Sequence, residues 1–460
     1  MDTVETLRSS VTGSVTGPDD ADYDEVRAVW NAMIDRRPAA VVRAAGVSDI
    51  APTIRVARES GLGLAIRGGG HNVAGNGTVE GGIVLDLGGL VDVEVDRGTR
   101  QVRVGAGATL GHLDRATEPY GLAVPVGVVS ATGVAGLTLG GGVGWLTRAY
   151  GLSVDNLLAV ELVTATGETV RANATENPDL FWGVRGGDGN FGVVSSFTFQ
   201  AHPLGPEVYA GTFVTRADDW EEALHGLDAW VRMGVPDAMT VISTFMTPPG
   251  AFELGEHPVM LTGFAWASDD RSAGESVVEG LRTAVRPDLA VIAPTTWTAW
   301  QSAADDLFPK GVRAYWKNTS FDTLDDATIA IICRRGREQT WPGTAFDIHL
   351  MEGAFGRVPE DATPFPGRAA RYWLNVYGYW PDAADDEART AFVKGLAADM
   401  AAHGAGAQYV NFLGDEGYAS GAGASALSVY GPDKLARLTA LKRRYDPDNL
   451  FRFNHNIPPA

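Results

Sequence analysis

Glycine is concentrated in four short segments of this chain, and this pattern constrains the fold more than any other feature. The segments are residues 68–77, 105–107, 133–144 and 186–192, and the first lies in AIRGGGHNVAGNG, where five glycines surround His71. The sequence has 57 glycines in 460 residues, above the usual share of about 7%. Because glycine costs backbone entropy on folding, such clusters indicate sharp turns or close approach of the main chain to a ligand.

Length and composition restrict the class of protein. A chain of 460 residues exceeds the usual size of one hydrophobic core, so we expect two lobes. The net charge of −20 disfavours nucleic acid or an anionic membrane as a partner, because phosphates are neutralised by clustered cations. The single cysteine, Cys333, excludes an internal disulfide and a cysteine-based metal cage, and no metal is expected. The N-terminal segment lacks the pattern of a secretory signal, which favours a cytoplasmic protein.

One uncharged run has the length of a membrane span. Residues 119–147 carry no charge, but they include eight glycines and Pro125. That composition, without basic or aromatic anchors of the usual kind at its ends, is more typical of buried backbone around a ligand.

The N-terminal region has the pattern of a β-α-β unit. Apolar spacing predicts a helix over residues 21–35, and residues 39–45 form an apolar run that predicts a strand. A helix follows, with Ser48 as its expected N-cap and Gly61 as its stop, and the strand LGLAIRG then leads into the glycine cluster.

The residue composition and the predicted lengths of helices and strands change near residue 206. Before it, short β segments alternate with glycine loops, whereas after it longer helices alternate with strands rich in aromatic residues. The predicted organisation is an N-terminal module at 1–205, a substrate domain at 206–408 and a C-terminal segment at 409–460 that returns to the first module. The fold class is α+β.

The motif GDGNFG at 187–192 matches G-x-G-x-x-G but is a poor candidate for a Rossmann site. That fingerprint requires a preceding strand and a following helix, which aim amide dipoles at the pyrophosphate. Here a helical segment, NPDLFWGV, precedes the motif and a β-rich segment follows it. A nicotinamide dehydrogenase is therefore disfavoured.

His71 has two interpretations. A lone histidine is commonly a structural hydrogen-bonding residue. A neutral imidazole is also a nucleophile, and successive main-chain N–H groups in glycine loops form concavities that bind anions such as pyrophosphate. Four such loops, one containing a histidine, favour a large phosphate-bearing cofactor, and the methyl group of a flavin can be attacked by an imidazole.

At four ordered places the chain resembles FAD-linked oxidases of the vanillyl-alcohol-oxidase type, specifically the berberine-bridge-enzyme branch. The similar segments are RGGGHN, GLTLGGGVGWLTRAYGLSVDNLLAVELVTATGE, DLFWGVRGGDGNFGVV and YDPDNLFRFNHNIPP. Within the branch, the likeness is strongest to bacterial hydroxynicotine oxidases and related natural-product oxidases. The resemblance implies a two-lobed FAD-binding fold of the PCMH type, in which an antiparallel sheet flanked by helices forms the substrate domain.

The resemblance also implies which residues bind FAD. The loop from Arg67 to Asn72 would hold the pyrophosphate, with His71 as the single covalent anchor, and residues 129–141 would pass along the isoalloxazine. Asn156, Gly192 and Val194 would contact the adenosine side. The complete set is Arg67, Gly68, Gly69, Gly70, His71, Asn72, Val129, Ser130, Thr132, Gly133, Gly136, Gly140, Gly141, Asn156, Gly192, Val194, Asn454 and Asn456.

Two positions depart from the family pattern. Many relatives attach the flavin a second time through a cysteine, but the corresponding residue here is Val129. Many also have a tyrosine at the end of a YxNY element, where it helps to deprotonate the substrate. This chain reads YVNF, so Phe412 leaves that role open.

Four residues are candidates for proton transfer or substrate orientation. Glu352 follows a predicted strand among apolar residues, where burial would raise its pKa, although a surface glutamate is equally compatible with the pattern. Asn375 and Tyr377 alternate along one face of another strand, and Asn411 lies in YVNF. The aromatic residues of that strand are also typical of a strand core.

The expected function is that of a covalent FAD oxidase. It would abstract hydride from a small, aromatic or polycyclic alcohol or amine, with O2 as the second substrate and H2O2 as product. Three alternatives stay open: an oxygenating flavoenzyme of natural-product biosynthesis, a dehydrogenase with another acceptor, and a flavin-bearing protein that sequesters a drug and confers resistance.

Overall fold

The computed structural model describes residues 2–205, 207–250, 254–404, 406–414 and 422–459. Within these ranges the chain forms fourteen α-helices and nineteen β-strands. The strands make up sheets of four, five, two and eight strands.

A small sheet near the N-terminus carries the first glycine loop at its edge. Its strands β2 and β3 both run parallel to β4, which lies between them, and the strand order is β1-β2-β4-β3. The elements of this part are α1 (Thr3–Ser10), β1 (Ser14–Thr16), α2 (Tyr23–Arg27), β2 (Ala40–Arg43), α3 (Ile50–Ser60), β3 (Leu64–Arg67) and β4 (Ile83–Asp86).

Two local predictions for this part were wrong. The helix expected over residues 21–35 ends at Arg27, because the following segment turns away to make hydrogen bonds with other parts of the protein. The N-cap of α3 is Asp49, not Ser48, since a short 3₁₀ turn precedes the helix. Gly61 does end α3, with a left-handed φ of 67°.

A five-stranded antiparallel sheet, in the order β5-β6-β10-β8-β9, completes the N-terminal lobe, and a short ladder pairs β7 with β11. The helix before GDGNFG and the strand after it are both present, as predicted. The elements are β5 (Val93–Asp96), β6 (Gln101–Gly105), α4 (Leu110–Thr117), β7 (Leu122–Ala123), α5 (Val134–Gly140), α6 (Thr147–Tyr150), β8 (Leu157–Val163), β9 (Thr169–Asn173), α7 (Pro178–Gly183), β10 (Val193–Gln200) and β11 (His202–Pro203).

The largest sheet is antiparallel, and its strands lie between residues 207 and 380 in the order β15-β12-β14-β13-β18-β19-β17, with β16 beside β12. The elements of this lobe are β12 (Glu207–Arg216), α8 (Trp220–Arg232), β13 (Met239–Met246), β14 (Val259–Trp266), α9 (Arg271–Val285), β15 (Leu289–Ile292), β16 (Thr295–Thr296), α10 (Trp297–Gln301), β17 (Arg313–Phe321), α11 (Asp326–Glu338), β18 (Ala345–Leu350), α12 (Ala354–Arg357), β19 (Tyr372–Trp380) and α13 (Asp386–Ala401). The C-terminal segment adds α14 (Ala422–Tyr445).

The two faces of this large sheet differ in chemistry. One face packs against α8, α9, α11 and α13 through residues such as Phe346 and Val376. Because side chains alternate along a strand, the residues between them point to the other face. That face carries Asp347, Asn375 and Tyr377. It is turned toward the N-terminal lobe, and Tyr377 lines the same cleft as the first glycine loop.

The C-terminal segment packs on the N-terminal lobe. Lys442 in the last turn of α14 and Asp446, which directly follows the helix, form a fully buried ion pair of 2.7 Å. Asp446 also accepts hydrogen bonds from the backbone N–H groups of Leu450 and Phe451. These bonds direct the last residues back toward the glycine loops. Across the described residues, no helix combines the length and the apolar character needed to cross a bilayer.

Candidate functional site

A deep cleft lies between the glycine loops, the polar face of the large sheet and the C-terminal segment. It contains ≈ 1450 Å³ of space free of protein atoms, including its opening to solvent. Fifteen of the residues predicted for the site line it: Arg67, Gly68, Gly69, Gly70, His71, Asn72, Val129, Thr132, Gly133, Gly136, Gly192, Val194, Tyr377, Asn411 and Asn454.

Two glycine loops touch backbone to backbone at the wall of the cleft. A Cβ atom added to Gly69 would lie 2.5 Å from the nitrogen of Gly133, and one added to Gly133 would lie 2.4 Å from the nitrogen of Gly69. Gly70 follows with a left-handed φ of 67°. Side chains are therefore excluded here, and main-chain groups form the wall, as a site for a pyrophosphate requires.

The imidazole of His71 is held in this wall with one nitrogen unused. Its Nε2 atom is buried and has no hydrogen-bond partner in the described part of the protein. Burial lowers the pKa of His71 to about 4, so the ring is neutral at pH 7. A desolvated, neutral imidazole with a free ring nitrogen has the properties of a nucleophile, which fits a flavin methyl group as its partner.

Arg67 lines the cleft, but its charge is already used. The guanidinium is 5% exposed, forms an ion pair of 2.8 Å with Asp86 and donates to the carbonyl of Val26. Its positive charge is therefore largely compensated within the protein. The contribution of this loop to phosphate binding must come mainly from backbone N–H groups.

Aromatic side chains form the opposite wall. The ring of Tyr377 lies 5.3 Å from Trp316, 5.6 Å from Phe308 and 5.2 Å from Phe412, centroid to centroid. Phe412, in a short 3₁₀ turn, has no hydroxyl group, but Tyr377 on β19 supplies one at the same wall. Burial, together with the adjacent Asp347 carboxylate, raises the pKa of Tyr377 well above its ordinary value.

Polar side chains lie directly behind Tyr377. Asp347 Oδ1 is 3.1 Å from His349 Nε2, although the two groups are not aligned as a hydrogen bond. Asn375 is paired with Asp347 across the strands, and no described residue hydrogen-bonds to its Oδ1 atom. Buried polar atoms normally have hydrogen-bond partners, so unpaired groups concentrated here indicate a place that binds a polar group or water. Asn375 thus lies behind the wall of the cleft, and not in it.

Glu352 is not brought to the cleft, which corrects the expectation for this residue. It follows β18 with a left-handed φ of 62°, and its side chain is 36% exposed. Its carboxylate accepts a hydrogen bond of 2.8 Å from Arg371 and lies 3.9 Å from buried Arg148. The apolar neighbours in the sequence point elsewhere, so Glu352 is an ion-pairing residue outside the site.

Ser130 and Asn156 are also used elsewhere. The backbone N–H of Ser130 donates to Asp305 at 2.7 Å, and its hydroxyl bonds to the same carboxylate. The amide of Asn156 donates to two backbone carbonyls, and its oxygen lies 2.6 Å from His202 Nε2. Neither residue is among the described residues that line the cleft.

Three further predicted residues support the cleft from behind. A Cβ atom on Gly140 would lie 2.4 Å from Asn411 Oδ1, so this glycine makes room for the asparagine. Gly141 makes room for Phe365 in the same way. Asn456 is buried but lies outside the described lining of the cleft.

Several residues of the site escaped the sequence analysis. Asp347 and His349 alternate with apolar residues in FDIHL, and polar residues at alternate positions of a buried strand were a usable signal. The hydroxyl of Tyr409 accepts hydrogen bonds from Asn411 at 2.8 Å and from the backbone of Gly142, and burial raises its pKa to about 12. Phe308, in an irregular segment, gave no such signal.

Sequence comparison finds relatives along the whole chain. The family model described as "FAD binding domain" matches residues 38–173, and the model described as "Berberine and berberine like" matches residues 409–458. Over 458 residues the chain is 30% identical to an (R)-6-hydroxynicotine oxidase of Paenarthrobacter nicotinovorans, covering 98% of this chain and 97% of the relative.

Solved structures share the architecture. The 6-hydroxy-D-nicotine oxidase of Arthrobacter nicotinovorans has a TM-score of 0.86 at 28% identity, covering 98% of this chain and 99% of that one. A glucooligosaccharide oxidase of Acremonium strictum, described with a 6-S-cysteinyl, 8α-N1-histidyl FAD, has a TM-score of 0.86 at 20% identity and full coverage of both chains. The predicted fold class and FAD as the cofactor are thereby confirmed.

The contact between the glycine loops gives a testable requirement. Replacing Gly69 by alanine forces the loops apart, at a cost of about 1–3 kcal/mol, which is equivalent to roughly 5- to 150-fold weaker FAD binding if the whole cost falls on the bound state. Calorimetric titration of flavin-free protein with FAD measures this. Gly46→Ala is the control, since its added Cβ would meet only Ser48 Oγ at 3.7 Å. Wild-type affinity in Gly69→Ala would show that the contact is not needed.

Proposed function

The chain belongs to the berberine-bridge-like family of FAD-linked oxidoreductases, and we propose that it is an oxidase that takes a hydride from an alcohol or amine carbon of a small aromatic or polycyclic substrate, with O2 as the final acceptor. The observation that carries this proposal is the neutral imidazole of His71 in a wall of bare backbone, with its Nε2 atom unpartnered among the described residues. In the same cleft lies a tyrosine backed by a carboxylate.

The cofactor half of the cleft supports a single covalent link. Bound FAD supplies a hydride acceptor that O2 can reoxidise. His71 would hold it covalently, while the backbone of Gly68 to Gly70 and of Gly133 would contact the pyrophosphate. Val129 lines the cleft where a second, cysteine attachment would need a thiol, and Cys333 is buried in the core of the large sheet.

The substrate half supports proton removal through Tyr377. As hydride leaves an alcohol carbon, the hydroxyl proton must go to a base. We assign this to Tyr377, which would accept the substrate proton at its oxygen while giving its own proton to Asp347. Asn411, fixed by hydrogen bonds to Tyr409 at 2.8 Å and to the Leu137 carbonyl at 3.0 Å, would bind and orient a polar group of the substrate.

The walls of the cleft support a flat substrate. Phe308, Trp316 and Phe412 present ring faces and edges around Tyr377, and such walls favour aromatic or polycyclic compounds over strongly hydrated ones. The (R)-6-hydroxynicotine oxidase that matches 98% of this chain is named for the oxidation of a hydroxylated N-heterocycle. This similarity points in the same direction as the cleft.

Anaerobic reduction tests the proposed reaction. Hydroxylated N-heterocycles, sugars and polyketide-like alcohols are first screened for peroxide release. An active compound should then bleach the flavin absorbance without O2, and air should restore it with one H2O2 per turnover. A flavin that binds compounds but never bleaches would indicate a sequestering protein, and incorporation of oxygen into the product would indicate an oxygenase. Either result contradicts the proposal.

The covalent link predicts a specific pH dependence. His71→Ala should lose all acid-stable flavin fluorescence on a denaturing gel, whereas His202→Gln, at a half-buried histidine outside the described lining of the cleft, should keep it. Protonation removes the attacking lone pair. Because burial lowers the pKa of His71 to about 4, attachment of added FAD should proceed at a constant rate from pH 8 to 5 and fall near pH 4. A fall centred on pH 6.5, as for an exposed imidazole, would contradict this geometry.

The assignment of the base predicts a division among three variants. Tyr377→Phe and Asp347→Asn should slow flavin reduction by about 10²- to 10⁴-fold, since each interrupts proton transfer. Glu352→Gln should reduce flavin at close to the wild-type rate, because that carboxylate pairs with arginines outside the cleft. Stopped-flow absorbance under anaerobic conditions gives the rate constants. Slow reduction only in Glu352→Gln would reverse the assignment.

A further inference from the structure

The indole of Trp30 stacks on the imidazole of His71. The ring centroids are 4.7 Å apart and the planes differ by 21°, while Trp316 lies farther away, at 6.5 Å and 51°. Trp30 is 4% exposed and is not among the described residues that line the cleft. It therefore contacts the histidine from behind, where it reaches the reaction only through that ring.

Trp30 is itself fixed in one orientation. Its backbone N–H donates to the carbonyl of Gly70 at 3.0 Å, next to the histidine. Its indole N–H donates to the carbonyl of Phe308 at 3.1 Å, and Trp316 meets its ring edge-on at 5.3 Å. A residue held by one hydrogen bond from its backbone, one from its ring and contact with a second indole is a rigid support for the imidazole plane.

The next residue ties this support to the large sheet. The Asn31 side-chain amide donates to the carbonyl of Val73 at 2.7 Å and to that of Ala314 at 2.8 Å, and its oxygen accepts from the N–H of Ala314 at 3.0 Å. The carbonyl of Trp30 accepts from the N–H of Gly311 at 3.0 Å. Residues 30–31 thus connect the histidine loop with β17, and Trp30 takes its place when the two lobes are docked.

We propose that Trp30 is a positioning residue for covalent flavin attachment: by stacking on His71 it holds the imidazole plane and its unpaired nitrogen toward the cofactor methyl carbon. This inference rests on the proposed link at His71. The reaction joins the histidine nitrogen to that carbon, the ring N–H and one methyl C–H are lost as two protons and two electrons, and O2 takes them up as H2O2.

The physical basis is orientation. A bond forms efficiently only when the reacting atoms are held close and aligned, and displacement by about 1 Å can cost on the order of 10²-fold in rate. Among the described residues no group hydrogen-bonds to His71 Nε2, and the stack with Trp30 supports the ring plane on that side. A small aliphatic residue at position 30 leaves the ring free to rotate and opens space for water.

The test compares attachment with binding. Flavin-free protein is prepared as wild type, Trp30→Leu, Trp30→Phe and Trp297→Leu. Trp297 is the matched control because it is a buried indole with one N–H···O bond, 3.1 Å to Asp114, outside the lining of the cleft. After FAD is added, acid-stable fluorescence gives the rate of attachment at saturating FAD, and thermal unfolding gives the cost to stability. The dependence of that rate on FAD concentration, measured before attachment is complete, gives the concentration of FAD at half-maximal rate as the measure of affinity.

The expected result separates the rate of flavin attachment from the affinity for FAD. Trp30→Leu should bind FAD with nearly wild-type affinity but attach it on the order of 10²-fold more slowly, Trp30→Phe should recover most of the rate through its own ring, and Trp297→Leu should attach FAD normally. Equal attachment rates in Trp30→Leu and wild type would overturn the proposal, as would a loss of rate that only follows the loss of stability in both leucine variants. If wild-type protein itself forms no acid-stable flavin, the link at His71 is what has failed.

Discussion

The contact of Gly69 with Gly133 is the constraint on which the rest of the site depends. At this point two main chains approach so closely that no side chain fits between them. Backbone atoms therefore form the wall of the cleft, and the residues that follow each glycine acquire fixed positions. His71 comes two residues after the contact on one loop, and α5 begins directly after it on the other. A single steric condition thus sets where an imidazole and a cofactor can meet.

The second requirement is a sheet with two unlike faces. At alternate positions of β18 and β19, aliphatic and aromatic residues pack against helices. The intervening positions face the other way and carry Asp347, Asn375 and Tyr377. Burial of these polar groups costs free energy, since several of their atoms have no hydrogen-bond partner in the part of the chain that the structure describes. The large apolar core on the opposite face offsets this cost in free energy. The sheet can therefore present a polar surface to the cleft.

Prediction from sequence was most successful where the signal was local. Strand and helix periodicity located the elements around the glycine loops, and the inverted context of GDGNFG correctly argued against a Rossmann site. It failed where hydrogen bonds to residues far away in the sequence determine the local structure. The helix expected to continue past Arg27 ends there because Trp30 and Asn31 bond to Gly70, Val73 and Ala314, which no local pattern reveals.

The sequence by itself determined the glycine loops, the embedded histidine and the α+β class, because steric need and periodicity are visible in adjacent residues. The family followed from the resemblance of four ordered motifs to known oxidases. Only the tertiary structure decided which polar groups share the cleft. Glu352 has apolar neighbours in the sequence, but in the folded protein its carboxylate lies beside arginines. Asp347 lies within an apolar strand, but its carboxylate faces Tyr377. The environment of a carboxylate depends on what the fold packs around it, and residues far apart in the chain supply most of those contacts.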